Sequence, residues 1–202
     1  MKRKVFAVLN PNLTIHTFCS WFKVFLSRKS LETQLDRILK QRFPSLKEFH
    51  YSFRARSLIY YTLKNLKRQF PKKDEVILPA YTCKVVINAV LKAGLKPVFV
   101  DLEPSSLQVD VKLVKSLISN STLIFFLQHT FGEKQNITSI LDTLKKHKVL
   151  IFEDLAHAYG NPTLGTQGDF VLLSFGSNKL FSSSYGGVLI NNTTYEIKKN
   201  LH

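Results

Sequence analysis

From residue 75 onward, short apolar runs alternate with segments whose apolar residues recur every three or four positions. The runs are "EVILP" (75–79), "KPVFVD" (96–101), "TLIFFL" (122–127), "KVLIFED" (148–154), "DFVLLSF" (169–175) and "GGVLINN" (186–192). Between them, helical periodicity covers about Thr82 to Ala93, the stretch near 110–118 and the stretch near 136–147. A continuous apolar run is the signature of a strand buried on both faces, and strands that alternate with helices pair in parallel. The pattern therefore predicts an α/β fold, a three-layer α/β/α sandwich around a mainly parallel mixed sheet. The chain carries no internal repeat and no low-complexity tract.

The N-terminal part has a different texture. Ile15, Phe18, Cys19, Phe22, Phe25 and Leu26 recur at helical spacing, with Lys23, Arg28 and Lys29 nearby. Such a stripe suits either a packing helix or a helix lying on a membrane surface, and its aromatic content favours packing. "SFRARSLIYYTLKNLKRQF" (52–70) reads as a helix entered through a short polar turn. We divide the chain into a basic, aromatic helical segment, 1–49, and a larger unit, 50–202.

Composition narrows the classes. With 202 residues and 45% hydrophobic content the chain can bury a core of its own. Basic residues outnumber acidic ones 29 to 14, and the excess is local, with 17 basic against 3 acidic residues in 1–73 and 12 against 11 in the remainder. A positive field of that kind suits nucleic acid, an anionic membrane or a phosphorylated small molecule. It equally suits a solvated basic face. No helix-turn-helix, RNA-binding aromatic motif or zinc spacing selects nucleic acid. Cys19 and Cys83 form neither a metal motif nor a disulfide framework, which fits a reducing cytoplasm. No apolar run reaches the roughly 18 to 20 residues that span a bilayer, and "MKRKVFAVLNPN" has too short an apolar core for a signal peptide.

Candidate chemistry sits just past strand ends, where open α/β sheets bind ligands. Asp154 closes "VLIFED"; it either caps the next helix or meets a cationic ligand group. Lys179, in "SFGSNKLFSSSYGG" (174–187), is either a solvated loop lysine or an amine that captures a carbonyl. The turn "RARS" (54–57) opens a helix, and helix N-termini suit phosphate. A lysine for an aldehyde, a carboxylate for a ring nitrogen and a cradle for a phosphate together describe pyridoxal 5'-phosphate.

These residues resemble the DegT/StrS family of sugar aminotransferases, which depend on pyridoxal phosphate and share the aspartate aminotransferase fold. The likeness runs in order over about 50–192: "DEVILPAYTCKVVINAVLKAGLKPVFVDLEPSSLQVD" (74–110), "QHTFG" (128–132) for "VHLYG", "FEDLAHAYG" (152–160) for "EDAAHAxG", and "GDFVLLSFGSNKLFSSSYGG" (168–187). The resemblance implies that 50–202 is the large domain of a pyridoxal phosphate-dependent transferase. It implies that Lys179 is the catalytic lysine that binds the cofactor's aldehyde and that Asp154 pairs with the pyridine nitrogen. His157 would lie beside the ring, where the alternative is a histidine packed in the core. Ser174 would hold the phosphate, with the backbone at Arg56 and Ser57. Cys83 stands where the family has an aromatic residue against the ring, and "SYGG" replaces "GEGG". The implied partners are an amino-acid donor, glutamate by resemblance, and a keto-sugar acceptor linked to a nucleotide, in a cytoplasmic homodimer serving polysaccharide biosynthesis. Neither nucleic acid nor integral membrane association is expected. Because the chain stops at His202, the family's smaller C-terminal domain is expected to be missing. Two rivals remain: an inactive scaffold that keeps the fold, and a basic module for nucleic acid or membrane surfaces.

Overall fold

A computed structural model describes residues 28–43, 48–176, 179 and 185–198. The aromatic stripe from Ile15 to Leu26, Cys19 and Ser184 lie outside these residues. The elements are α1 (Arg28–Arg42), β1 (Glu48–Ser52), α2 (Ala55–Gln69), β2 (Glu75–Pro79), α3 (Lys84–Lys92), β3 (Lys96–Val100), α4 (Val111–Leu117), β4 (Thr122–Gln128), α5 (Leu141–Lys146), β5 (Leu150–Asp154), β6 (Phe170–Ser174) and β7 (Gly187–Asn191). Single 3-10 turns occupy Thr130–Gly132 and Thr138–Ile140.

The seven strands form one sheet in the order β1-β7-β6-β5-β4-β2-β3. Pairing is parallel from β6 through β5, β4 and β2 to β3, and antiparallel where β7 joins β6 and β1. Every apolar run from residue 75 onward thus becomes a strand of a mainly parallel mixed sheet. Beyond these, β1 joins the edge without any signal in the apolar pattern. The helix expected near 136–147 forms only as a 3-10 turn followed by the six residues of α5.

Strand periodicity sorts the core into layers. Val76, Leu78, Ile124, Phe126, Phe152, Phe170, Leu172 and Leu189 face one side, where Leu58, Ile59, Leu63 and Leu66 of α2 and Val86, Ala89 and Val90 of α3 cover them. Their neighbours Ile77, Phe125, Leu127 and Ile151 face the other side, against Val114 of α4 and Leu144 of α5. The far end of that second side, with Val171, Leu173, Val188 and Ile190, is covered by Leu39 and Phe43 and by Leu155, Ala158 and Leu164. The result is a three-layer α/β/α sandwich. Segment 28–43 packs directly on the sheet that continues through residue 191.

Aromatic registry stiffens the middle of the sheet. Phe126 pairs with Phe152 and Phe152 with Phe170, and their rings stack at 4.8 and 6.2 Å between centroids. Such contacts add roughly 0.5–1.5 kcal/mol each beyond the burial of their area. Phe126 and Phe152 lie two residues before the polar carboxyl ends of β4 and β5, and Leu172 holds the matching place in β6.

Candidate active site

The chain leaves β2 for β3 on one side and returns across β2 to β4 on the other, so the sheet order reverses at β2. A crevice opens at the carboxyl ends of strands at such a reversal. Here it is a cavity of about 670 Å³, lined by residues that include Arg54, Ala55, Arg56, Tyr81, Thr82, Cys83, Gln128, Phe131, Asp154, His157, Ser174 and Lys179. Strand periodicity explains three of them. Gln128, Asp154 and Ser174 end β4, β5 and β6 on the face of Phe126, Phe152 and Leu172, and Gln128 is the register partner of Asp154.

Asp154 is 6% exposed, and its Oδ1 accepts the N–H of Ala156 at 2.8 Å. Burial pushes its carboxyl above the ordinary range, opposed by the Ala156 N–H and the charge of Lys179. A buried carboxylate with one hydrogen bond at the floor of a cavity is suited to a cationic N–H donor arriving from the cavity. His157 forms part of the wall. Burial holds its imidazole below the ordinary value, with the charge of Lys179 adding to the effect. Its ring stacks on Phe131 at 5.7 Å and 11°, so its plane is set from one side. Lys179 is half-buried on the rim, and its backbone N–H donates to Gly176 O at 3.0 Å.

Two helices begin at this cavity without a side-chain cap, α2 after Arg54 and α3 after Cys83. By contrast, α4 on the other side of the sheet is capped by Asp110, which accepts from the N–H groups of Lys112 and Leu113. Ala55 and Arg56, the first residues of α2, line the cavity, and an uncapped helix start is a ready cradle for an anion. Ser57 stands apart, because its N–H donates to Arg54 O at 3.0 Å and its side chain does not line the cavity. Gly187 presses on this turn so closely that a Cβ there would lie 2.6 Å from Ala55 Cα. Cys83 lines the cavity at the start of α3 and is exposed. The structure therefore brings Lys179, Asp154, His157, Ser174, Arg56 and Cys83 around one space and leaves Ser57 just outside it.

The sequence reading assigned no role to three features. Gln128 Oε1 accepts from Thr82 Oγ1 at 2.6 Å, while its Nε2 donates to Thr130 Oγ1 at 2.7 Å and to Tyr81 O at 3.3 Å, tying the exits of β2 and β4 together. Its polar side chain at a strand end was the available signal. Exposed aromatics, Phe53 stacked on Tyr185 and Tyr81 beside Phe131, ring the mouth. Glu153 and His129 form a pair in which each side chain is 1% exposed, with His129 also lining the cavity and Glu153 outside its lining.

Comparison with known proteins identifies the family and the fold. Over 130 residues the chain is 36% identical to GDP-perosamine synthase of Vibrio cholerae, a match covering 62% of this chain and 35% of that protein. PseC of Helicobacter pylori, an aminotransferase involved in the biosynthesis of pseudoaminic acid, superposes with a TM-score of 0.81 at 21% identity, covering 95% of this chain and 53% of that one. Bacillus subtilis NtdA, solved with bound cofactor PMP, superposes with a TM-score of 0.77 at 22% identity, covering 98% of this chain and 48% of that one. The chain thus spans about a third of the length of the curated relative and about half that of the solved structures. Residues 58–201 match the family model for the DegT/DnrJ/EryC1/StrS aminotransferases, and the chain belongs to that family.

Proposed function

We propose that this chain is the cofactor-binding portion of a pyridoxal phosphate-dependent aminotransferase that moves an amino group from an amino acid, glutamate in the first instance, onto a nucleotide-linked keto-sugar. The observation that carries this reading is the convergence of Lys179, Asp154, His157 and Ser174 on one cavity into which α2 opens uncapped. The name of the Vibrio cholerae relative, a GDP-perosamine synthase, supports a nucleotide-linked sugar as acceptor. The cofactor bound to Bacillus subtilis NtdA supports the cofactor class.

The residues fit the cofactor. Its phosphate would be taken by the uncapped start of α2 at Arg56 and by the Ser174 hydroxyl. Asp154 would hold the proton on the pyridine nitrogen, giving its buried carboxylate a directly bonded cationic partner. His157, held flat by Phe131, would flank the ring, and Lys179 would bind the aldehyde. When bound, pyridoxal phosphate supplies a carbonyl that takes over the donor's nitrogen and a protonated ring that accepts the electron pair left by the departing α proton. Lys179 Nζ, once released by the donor, takes that proton from the α-carbon and later returns one on the acceptor side. Gln128 holds the β2 and β4 exits in place while substrates exchange.

A homodimer and a cytoplasmic location complete the reading, along with a role in supplying amino sugars for polysaccharides. The exposed aromatics at the mouth support the homodimer, since a patch of this kind on a site rim marks a contact surface. The test is to mix the protein with pyridoxal phosphate, reduce with borohydride and map the modified peptide. We expect the cofactor on Lys179, and loss of both the label and the visible absorbance band in Lys179→Ala. Glutamate should then convert the band in the unaltered protein. A label on surface lysines alone, with Lys179→Ala unchanged, would overturn the assignment.

A further inference from the structure

Asp154 is held from behind by Glu153, which lies outside the cavity lining, and from the side by His129, which forms part of it. Next to it on β5, Glu153 points to the opposite face and collects four hydrogen bonds. Gly165 N–H donates to Oε1 at 2.7 Å, and Gln167 and Gly168 N–H donate to Oε2 at 3.0 and 2.8 Å. The fourth comes from the imidazole of His129, with Nε2 at 3.0 Å from Oε1. His129 Nδ1 lies 3.2 Å from the N–H of Gln135, which must donate to it, so Nδ1 carries no proton and Nε2 is the donor to Glu153. The backbone N–H of His129 in turn donates to Asp154 O at 3.2 Å.

The surroundings leave little play in this chain of bonds. Gly168 has no room for a Cβ, which would sit 2.7 Å from Glu153 Cβ, so the 165–168 segment approaches the carboxylate at closest contact. The Gln135 side chain is committed as well, accepting from Val109 N–H at 2.8 Å and donating to Leu107 O at 2.9 Å. Although burial by itself would raise the Glu153 carboxyl, the His129 bond and the N–H groups of Gly165 and Gln167 hold it below the ordinary value.

We propose that Glu153 and His129 are positioning residues, a carboxylate and a fixed imidazole tautomer that lock the exits of β4 and β5 together and so aim Asp154 at the cofactor ring. The proposal rests on the reading of the cavity as a cofactor site, in which Asp154 meets the ring nitrogen. An isosteric change exposes the logic. In Glu153→Gln, the amide NH₂ must face either the Gly165 and His129 donors or the Gln167 and Gly168 donors, so donors oppose one another in both orientations.

The two ends of the imidazole can be separated by substitution. Gln at 129 reproduces the Nε2 donor to Glu153, whereas Asn reproduces only the Nδ1 acceptor. The experiment measures pyridoxal phosphate dissociation constants and bound-cofactor absorbance for the unaltered chain, Glu153→Gln, His129→Asn and His129→Gln, together with melting temperatures without ligand. It also records the ¹⁵N imidazole spectrum of His129 in the unaltered chain. We expect Glu153→Gln and His129→Asn to weaken cofactor binding about tenfold, as loss of a hydrogen bond to a charged group does. His129→Gln should restore most of the affinity, and the spectrum should show the Nε2–H tautomer. Three results would each overturn the proposal: melting temperatures that fall while cofactor affinity stays unchanged, a loss in His129→Gln equal to that in His129→Asn, or an imidazole protonated at Nδ1. The last holds even if a variant does not fold. Cofactor uptake by the unaltered chain tests the underlying reading by itself, and the ratio of variant to unaltered chain tests the positioning.

Discussion

Gly187 shows how one hydrogen atom in place of a methyl group can determine the shape of the turn that opens α2. Its Cα side lies against the first residue of α2, with virtual Cβ distances of 2.6 Å to Ala55 Cα and 2.8 Å to Ala55 N. Gly187→Ala must push that turn away, at a cost of about 1–3 kcal/mol for overpacking. We expect urea unfolding to show that loss and pyridoxal phosphate to bind more weakly, because the displaced turn is the proposed phosphate cradle. Unchanged affinity at reduced stability would separate the turn from the phosphate. At this scale the sequence was informative where a motif carried the chemistry. Lys179, Asp154, His157 and Ser174 were all nominated from the chain, and the structure gathers them around one cavity. Gln128 and the Glu153–His129 pair were not, because their significance lies in hydrogen bonds to residues distant in sequence. Strand alternation hides Glu153 further, since it turns the residue adjacent to Asp154 to the other face.

The elements were legible to different degrees, for a physical reason. The parallel strands are buried on both faces and announce themselves as apolar runs. β1 is an edge strand, "EFHYS", held by its pairing with β7, and a strand stabilised from so far along the chain leaves no local periodicity. Capping separates the helices by role. Where α4 serves only the core, Asp110 Oδ1 takes the N–H groups of Lys112 and Leu113 at 2.9 and 3.1 Å. Where α2 and α3 meet the cavity, no side chain performs that task. Asp110→Ala should therefore cost about 1 kcal/mol in urea unfolding and leave cofactor affinity unchanged. An affinity that fell with it would mean that the two sides of the sheet are coupled more tightly than the layers indicate.

For the molecule as a whole, the cavity floor sets a conflict between folding and use. Burial raises the Asp154 carboxyl, so the folded chain keeps a proton that the unfolded chain has already released. Native stability then falls as pH rises from the unfolded carboxylate value through the raised folded one, and the deficit persists above that window. Glu153 works in the opposite sense, since its depressed carboxyl contributes stability that is lost as pH falls through its folded value. Asp154→Asn keeps an oxygen for the Ala156 N–H and removes the charge. Without cofactor it should be more stable than the unaltered chain at neutral pH, and the difference should vanish in acid. Equal stability of the two at neutral pH would show that the carboxylate is already compensated without a ligand. The basic excess of the N-terminal third remains the part of the sequence that this site does not absorb.

The pairing of β1 with β7 matches Glu48 with Asn191 and Ser52 with Gly187, and a bridge joins Arg54 to Gly186. The start of α2 is thereby fastened to a strand made more than a hundred residues later. During synthesis this turn emerges from the ribosome early, and its pairing with β7 must wait until residue 191 is free. Closing so long a loop is slow, so we expect this edge of the sheet, and the part of the cavity beside it, to mature late. Cofactor capture at the proposed site would then mark the end of folding rather than seed its beginning.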